Sequence, residues 1–332
     1  MNNMRRLMYL LLAAVMLLAA GCGAPSGTGD KGDAGYDVTD IEGTVVHMPD
    51  KPKRILTLSM STDEVMLGLV EPERMVAVNA LLDDPVSSNV VDLAKKVPKR
   101  VKRPSAEEVA ALRPDLVIVP DWGNMTIVPN LRDLGLKVVV CKGARNLKDI
   151  RETIALLAAA IGEPEKGDKL LAKMDSKLSD IQSKLKEIPE EKRGRSVLLL
   201  SLMKNYGGTG SSFDEACQLA GVTNARAAIG INDGTPMTKE QMVESNPDII
   251  FLPTYNNHGK YDIEKFRSQW LDDPALQTIG AIRDRRLEEP FEGYIYNCSQ
   301  NFVFAVQEIA WRATGDDRLG QSTKEHLSVV GE

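Results

Sequence analysis

One stretch of this chain is written twice. Residues 105–122 read SAEEVAALRPDLVIVPDW and residues 238–255 read TKEQMVESNPDIIFLPTY. Each copy opens with Ser or Thr and has Glu or Gln three places later, Ser105 with Glu108 and Thr238 with Gln241, the pairing in which side chains and backbone cap a helix start reciprocally. A Pro-Asp pair then ends the helix, and a run of large apolar residues follows, suited to a strand buried on both faces. The acidic residue second in each first turn is repeated as well, Glu107 and Glu240. A helix, a turn and a buried strand recurring in register predict two similar lobes.

The same grammar extends along both halves. Residues 36–48 read as an introductory hairpin around IEGTVV, and residues 54–58 as a strand leading into a helix capped by Ser61 with Glu64. The second half answers with the strand-like SVLLLS, a glycine-rich loop and a helix capped by Ser212 with Glu215. Strand, capped helix, more chain, capped helix, strand is βαβ order, which predicts an α/β fold of two Rossmann-like lobes with mostly parallel sheets covered on both faces. Between the halves a helical stretch is interrupted near Gly162 and Pro164; its second part carries Leu170, Leu171, Met174, Leu178, Ile181 and Leu185 at spacings of three and four. That is one apolar stripe with one wet face. It holds too few heptads for a coiled coil. The expected organisation is an N-terminal lobe at 36–145, a connector at 146–188 that allows only limited hinge motion, and a C-terminal lobe at 189–332, two domains for a chain of 332 residues.

The first residues follow a different logic. Arg5 and Arg6 precede an apolar stretch at 7–18, too short for a comfortable membrane span, and small residues lead to Cys22. Residues 1–21 read as an export signal ending in LAAGC, which resembles a lipobox and predicts lipidation of Cys22, with Ala19 where Leu is commoner. Residues 22–35, rich in Gly, Ser, Asp and Lys, read as a tether. The other three cysteines, Cys141, Cys217 and Cys298, show no C-x-x-C spacing and are expected to be inert thiols. A net charge of −6 leaves no excess of cations for a phosphate backbone, which argues against a nucleic-acid partner. The one basic run, at 95–102, reads as a solvated face.

Parallel sheets place ligands outside the carboxyl ends of their strands. Applied to both halves, that rule selects Ser59, Met60 and Ser61 after the first strand, Trp122 and Asn124 after the repeated one, Tyr206 and Thr209 in the answering loop, Tyr255, Asn256 and His258 at the position equivalent to Trp122, and Tyr294 and Tyr296 near the end. Aromatics are only 5% of the chain, so their clustering at strand ends points to a large, partly apolar ligand held by stacking and hydroxyl hydrogen bonds. The GGTGSS loop lacks a following Lys in Walker-A spacing and reads as a tight turn beside the cleft. Neither H-E-x-x-H nor G-x-S-x-G occurs, and the three histidines, His47, His258 and His326, are scattered, which argues against a catalytic constellation and against direct capture of a bare metal ion.

With KPKRILTLSMSTDEVMLGL, SAEEVAALRPDLVIVP, SFDEACQLAGVTNA, TKEQMVESNPDIIFLP and DDPALQTIGAIRDRRL in this order, the chain resembles the substrate-binding lipoproteins of ABC importers for iron-siderophores, haem and cobalamin, the class III periplasmic-binding-protein fold. The resemblance implies an extracytoplasmic, membrane-anchored, monomeric receptor, not an enzyme. It would deliver a metal chelate to a permease whose ATPase subunits are separate chains. It also implies that Glu107 and Glu240, each seven residues before the Pro-Asp pair, meet permease arginines. No cofactor of the protein itself is implied, because the ligand brings its iron or cobalt. Arg103 or Arg145 beside tyrosines would suit an iron-siderophore, which ranks first; cobalamin or another corrinoid and then haem follow. A membrane-anchored chelate-processing enzyme is the alternative from a different class.

Overall fold

The computed structural model describes residues 35–256 and 259–332. The chain divides into two units, Met1–Ala34 and Gly35–Glu332. The expected signal, tether and Cys22, up to residue 34, lie outside the described residues, as does His258.

A hairpin comes first, β1 (Tyr36–Thr39) against β2 (Val45–Met48), antiparallel. The first lobe is built on β3 (Ile55–Thr57), β4 (Met75–Asn79), β5 (Arg100–Val101), β6 (Leu116–Pro120) and β7 (Val138–Cys141) in the order β5-β4-β3-β6-β7, every pair parallel. The second holds β8 (Ser196–Leu199), β9 (Thr223–Asn224), β10 (Ile249–Phe251) and β11 (Leu287–Glu288) in the order β11-β10-β8-β9, again all parallel. The apolar runs of β3, β6, β7 and β10 are buried at every position, as strands covered by helices on both faces must be. Each order reverses at one point, between β3 and β6 and between β8 and β10. A crevice opens at such a point because the crossover helices leave to opposite faces.

Both repeat copies form the capped helices that the sequence predicts. The Ser105–Glu108 and Thr238–Gln241 boxes are complete in both directions, on helices Ala106–Ala111 and Lys239–Ser245. Two other caps sit elsewhere than expected. The helix Met60–Leu69 is capped by Ser59, whose side chain accepts from Thr62 N at 3.2 Å, because β3 ends early at Thr57; Ser61 and Glu64 are thereby freed for other contacts. The helix Ser212–Leu219 is capped by Ser211, and Glu215 instead accepts a hydrogen bond from Leu147 N at 2.5 Å.

The connector is a pair of helices, Leu147–Ala160 and the 23-residue Pro164–Lys186, about 35 Å long at 1.5 Å per residue. They pack so closely that a Cβ on Gly167 would lie 2.7 Å from that of Ala158. Leu170, Met174 and Ile181 are fully buried, and Leu171, Leu178 and Leu185 pack partly buried beside them, in one core that also contains Ile55 and Ile118 of the first sheet and Val197 and Phe251 of the second. The last helix, Phe302–Thr314, lies in the same core. The chain then returns to the first lobe: Val329 N donates to Gly68 O at 2.9 Å, Asn89 Nδ2 to Glu325 O at 2.7 Å, and Lys324 pairs with Asp92. The lobes are therefore joined by the connector and by this tail.

Two carboxyl groups are buried in the Met60–Leu69 helix. Desolvation pushes Asp63 up to about 8, against hydrogen bonds from Thr57 Oγ1 and Asn79 N, and pushes Glu64 up to about 7, against donors on Ser299, Asn301 and Asn297. An acid raised in this way holds its proton in the folded chain after the unfolded chain has released it. Its stabilising contribution is complete below about pH 4 and is lost as pH rises through 7 to 8. Comparing wild type with Asp63→Asn, the urea midpoint of wild type should fall relative to the variant between pH 5 and pH 9; a constant difference would refute the assignment. Separately, Ser105→Ala and Thr238→Ala should each lower the unfolding free energy by about 1 kcal/mol, measured by urea unfolding at one pH.

Candidate functional site

A cleft of about 1060 Å³ lies between the lobes. Its wall is made of residues that follow the strands at the two reversal points: Leu58 to Ser61 after β3, Pro120, Trp122, Gly123 and Asn124 at the end of β6, Ser201 to Met203 after β8, and Tyr255 after β10. Asn79 and Val101 add the ends of β4 and β5, and Glu292, Tyr296 and Asn297 close the floor. Of the residues selected from sequence, Ser59, Met60, Ser61, Arg103, Trp122, Asn124, Tyr255 and Tyr296 line this cleft together.

The others do not. Tyr294 is buried to 1% exposure, and its hydroxyl donates to Ser322 O and Glu325 O, so it ties down the tail instead of facing a ligand. Tyr206 stands behind Tyr296, ring centroids 5.2 Å apart; its hydroxyl donates to Ile295 O at 3.1 Å and lies 2.8 Å from Ser212 Oγ. Thr209 bridges to Asn232, with its N–H on Ile231 O. Asn256 closes its own loop by accepting from Gly259 N and Tyr261 N. Arg145 is absent from the cleft wall and donates its backbone N–H to Asp149. The glycine-rich loop is a tight turn whose amides are already engaged, Gly207 N with Asp233 Oδ1 and Gly210 N with Asp214 Oδ2.

The wall is apolar with a few fixed polar groups. Trp122, Met203 and Tyr261 are among the large apolar side chains that the fold leaves exposed, at 56%, 50% and 41%, and all three belong to this cleft. Grouped exposure of that kind marks a binding surface. The Trp122 indole packs against Gly143: a Cβ there would fall 1.3 Å from Trp122 Cδ1, so only glycine admits the ring in this position. Tyr296 donates to Ser201 Oγ at 3.0 Å, and burial raises its phenol well above the ordinary value, keeping it a neutral donor. Glu292 is 8% exposed, and its Oε1 accepts from Thr254 N, from Thr254 Oγ1 at 3.2 Å and from Tyr255 N at 2.9 Å, which holds the Tyr255 loop against the cleft.

Two cations stand on the wall without an ion pair or hydrogen bond among the described residues, Lys102 and Arg103. Both are exposed, and Arg103 holds a backbone φ of +51°, a strained setting for a residue with a side chain. The donors to Glu292 are neutral and leave its charge in place, so the wall carries two cations against one carboxylate, a net positive charge. Lys102 ends the basic run at 95–102 that the sequence reads as a solvated face; it stands on the cleft wall instead, and β5, two residues long, gives no periodic signal that would have placed it there, whereas Met203 was accessible to the strand-end rule because it comes soon after β8. Among the described residues no group of three His, Cys, Asp or Glu side chains is arranged to hold a metal ion.

Away from the cleft wall, Glu107 and Glu240 are both exposed and both second in their helices. Each carboxylate is held below its ordinary value by hydrogen bonds with its own backbone N–H and with the capping hydroxyl, Ser105 or Thr238. The two settings match across the lobes.

A family model described as periplasmic binding protein matches residues 55–288, more than half of the 332 residues. The "Uncharacterized ABC transporter substrate-binding lipoprotein YvrC" of Bacillus subtilis is 27% identical over 311 residues, covering 91% of this chain and 94% of its own. The "Probable siderophore-binding lipoprotein YfiY" of the same organism is 26% identical over 297 residues, covering 85% of this chain and 89% of its own. Among solved structures, the periplasmic heme-binding protein RhuT from Roseiflexus in apo form superposes with a TM-score of 0.66 at 21% identity, over 79% of this chain and 98% of that one, a likeness of fold. With its two parallel-sheet lobes, its helical connector and this match through both sheets, the chain belongs to the periplasmic binding protein family.

Proposed function

We propose that this chain is the extracytoplasmic receptor of an ABC importer and that it captures an anionic metal chelate, an iron-siderophore first, between lobes at 36–145 and 189–332. The observation that carries the reading is the cleft itself: about 1060 Å³, walled by Trp122, Tyr255, Tyr261, Tyr296, Met60 and Met203, with Lys102 and Arg103 unpaired beside them. An apolar, aromatic wall suits a bulky organic shell, and two free cations suit net negative charge on it. The siderophore named for YfiY and the heme named for RhuT are ligands of this general size and chemistry. Haem, with its carboxylates, fits the same charge; a corrinoid would use the aromatic wall and leave the cations idle. The ligand brings its own metal, the protein acts by binding without turnover, and relatives named as substrate-binding lipoproteins support that role over a chelate-processing enzyme. In this reading a lipid on Cys22 holds a monomer at the membrane, and Glu107 and Glu240 dock on the permease.

Titration by intrinsic fluorescence with a ferric tris-catecholate, haemin and cyanocobalamin should show saturable binding of an anionic chelate with the ligand recovered unchanged. Lys102→Gln combined with Arg103→Gln should weaken it at least about tenfold, since each lost charged contact removes on the order of 1 kcal/mol or more. Preferential binding of cyanocobalamin, untouched by the double variant, would favour the corrinoid reading, and chemical change in the ligand would favour the enzyme. Glu107→Ala with Glu240→Ala should leave chelate affinity intact and abolish uptake into cells; normal uptake would remove the docking role.

A further inference from the structure

Glu64 is a buried carboxyl group without a counter-ion among the described residues. It projects from the first-lobe helix Met60–Leu69 and is 0% exposed, yet no Lys or Arg is among the groups acting on it. Its contacts come from the second lobe, from the polar run that precedes the last helix. Oε1 accepts from Asn297 Nδ2, and Oε2 accepts from Ser299 Oγ at 2.6 Å and Asn301 Nδ2 at 2.9 Å. The backbone is gripped too, with Gln300 Nε2 donating to Glu64 O at 2.8 Å and to Leu327 O at 3.2 Å. Gly68, one turn further, makes room: a Cβ there would lie 2.6 Å from Gln300 Nε2. On the cleft side Ser61 Oγ donates to Asn297 Oδ1 at 2.8 Å, and both residues line the wall. On the tail side Leu327 N donates to Asn301 Oδ1 at 3.0 Å. One carboxyl group thus connects the first lobe, the second lobe, the tail and the floor of the cleft.

We propose that Glu64 is the positioning residue of the cleft: its carboxyl group fixes the resting angle of the two lobes and aims Asn297 into the ligand site, and its ionisation loosens that hold. The geometry accommodates a proton, because Ser299 Oγ can rotate to accept from a carboxylic acid while both amides still donate to the two oxygens. Once ionised, the group is a buried charge with only neutral partners, an arrangement that strongly favours opening to water. The titratable neighbours on every packed element leave Glu64 alone in the window that matters. Asp63, on its own helix, keeps its proton to about 8. Tyr294 and Cys298, from the second lobe, are both raised by burial, the thiol to about 11. His326 of the tail, 3.0 Å from Asn301 Nδ2, is pushed down to about 4 by burial. The inference stands whichever chelate the cleft takes, and its test needs no ligand.

Hydrogen–deuterium exchange of the full soluble unit, corrected for intrinsic rates, reads the hold through the amides of Asn301 and Leu327. Between pH 5 and pH 7 their protection should fall by up to about tenfold per pH unit, since opening releases one proton, and should level off above that. The strand amides of Val117 and Ile250 open only with the whole chain, whose stability also falls over this range, and should stay the more strongly protected pair at every pH. Glu64→Gln should make the profile at Asn301 and Leu327 flat. The same slope in that variant, a flat profile in wild type, or protection at Asn301 and Leu327 equal to that at Val117 and Ile250 would overturn the proposal. Should Glu64→Gln fail to fold, Ser299→Ala removes one donor to the ionised form and, read at the Leu327 amide because the Asn301 amide loses its own acceptor, should move the levelling point to higher pH; an unmoved point would count against Glu64 equally.

Discussion

Everything in this molecule depends on how two parallel sheets can be covered. Strands such as Leu116–Pro120 and Ile249–Phe251 are apolar at every position, so helices must pack on both faces of each sheet. That leaves the strand ends as the only part of a sheet open to a ligand. The connector helix then decides where those ends go. Leu170, Met174 and Ile181 sit in one core with residues of both sheets, so the carboxyl edges are held facing a common cleft. A 23-residue helix buried along one face resists bending, and the returning tail crosses between the same two bodies.

The polar groups divide accordingly into those that are held and those that are free. Glu292 is engaged by the loop that carries Tyr255, and Glu64 by the run at 297–301. Both carboxyl groups organise the wall through neutral donors. Lys102 and Arg103 are the reverse, exposed and unpaired, with strain at Arg103 that nothing in its own contacts relieves. A positive wall on a chain of net charge −6 is a local feature set against the overall balance. Its selectivity would come from that contrast, because a general excess of cations would attract any anion.

Much of the fold was legible because its signals are local. Capping boxes at Ser105 and Thr238 are sequence patterns with one geometric outcome, and the helical period of the connector was visible in six apolar residues. Where the expected boxes, Ser61 with Glu64 and Ser212 with Glu215, gave way to caps at Ser59 and Ser211, the outcome turned on where the preceding chain ended, which spacing alone does not encode. The site was half legible for a similar reason. The strand-end rule picked loops that line the cleft, but a loop residue faces the cleft or the core according to its neighbours. Tyr294 and Tyr296 are two positions apart in one short turn, and one ties down the tail while the other faces the cleft. Lys102 escaped because a two-residue strand has no period to read.

The repeat also links the cleft to the outer surface in a way that its two halves do not show separately. A helix that precedes a parallel strand runs against it, so the helix start lies at the same edge of the sheet as the strand's carboxyl end. Ser105 therefore caps its helix directly after Arg103 and Pro104 of the cleft wall, and Glu107 stands one turn away. Glu240 holds the matching place beside β10. Rotation of the lobes about the connector changes the width of the cleft and the separation of these two carboxylates together. A permease that reads their spacing would read the angle between the lobes, and the angle is what the Glu64 contacts and a bound ligand both constrain.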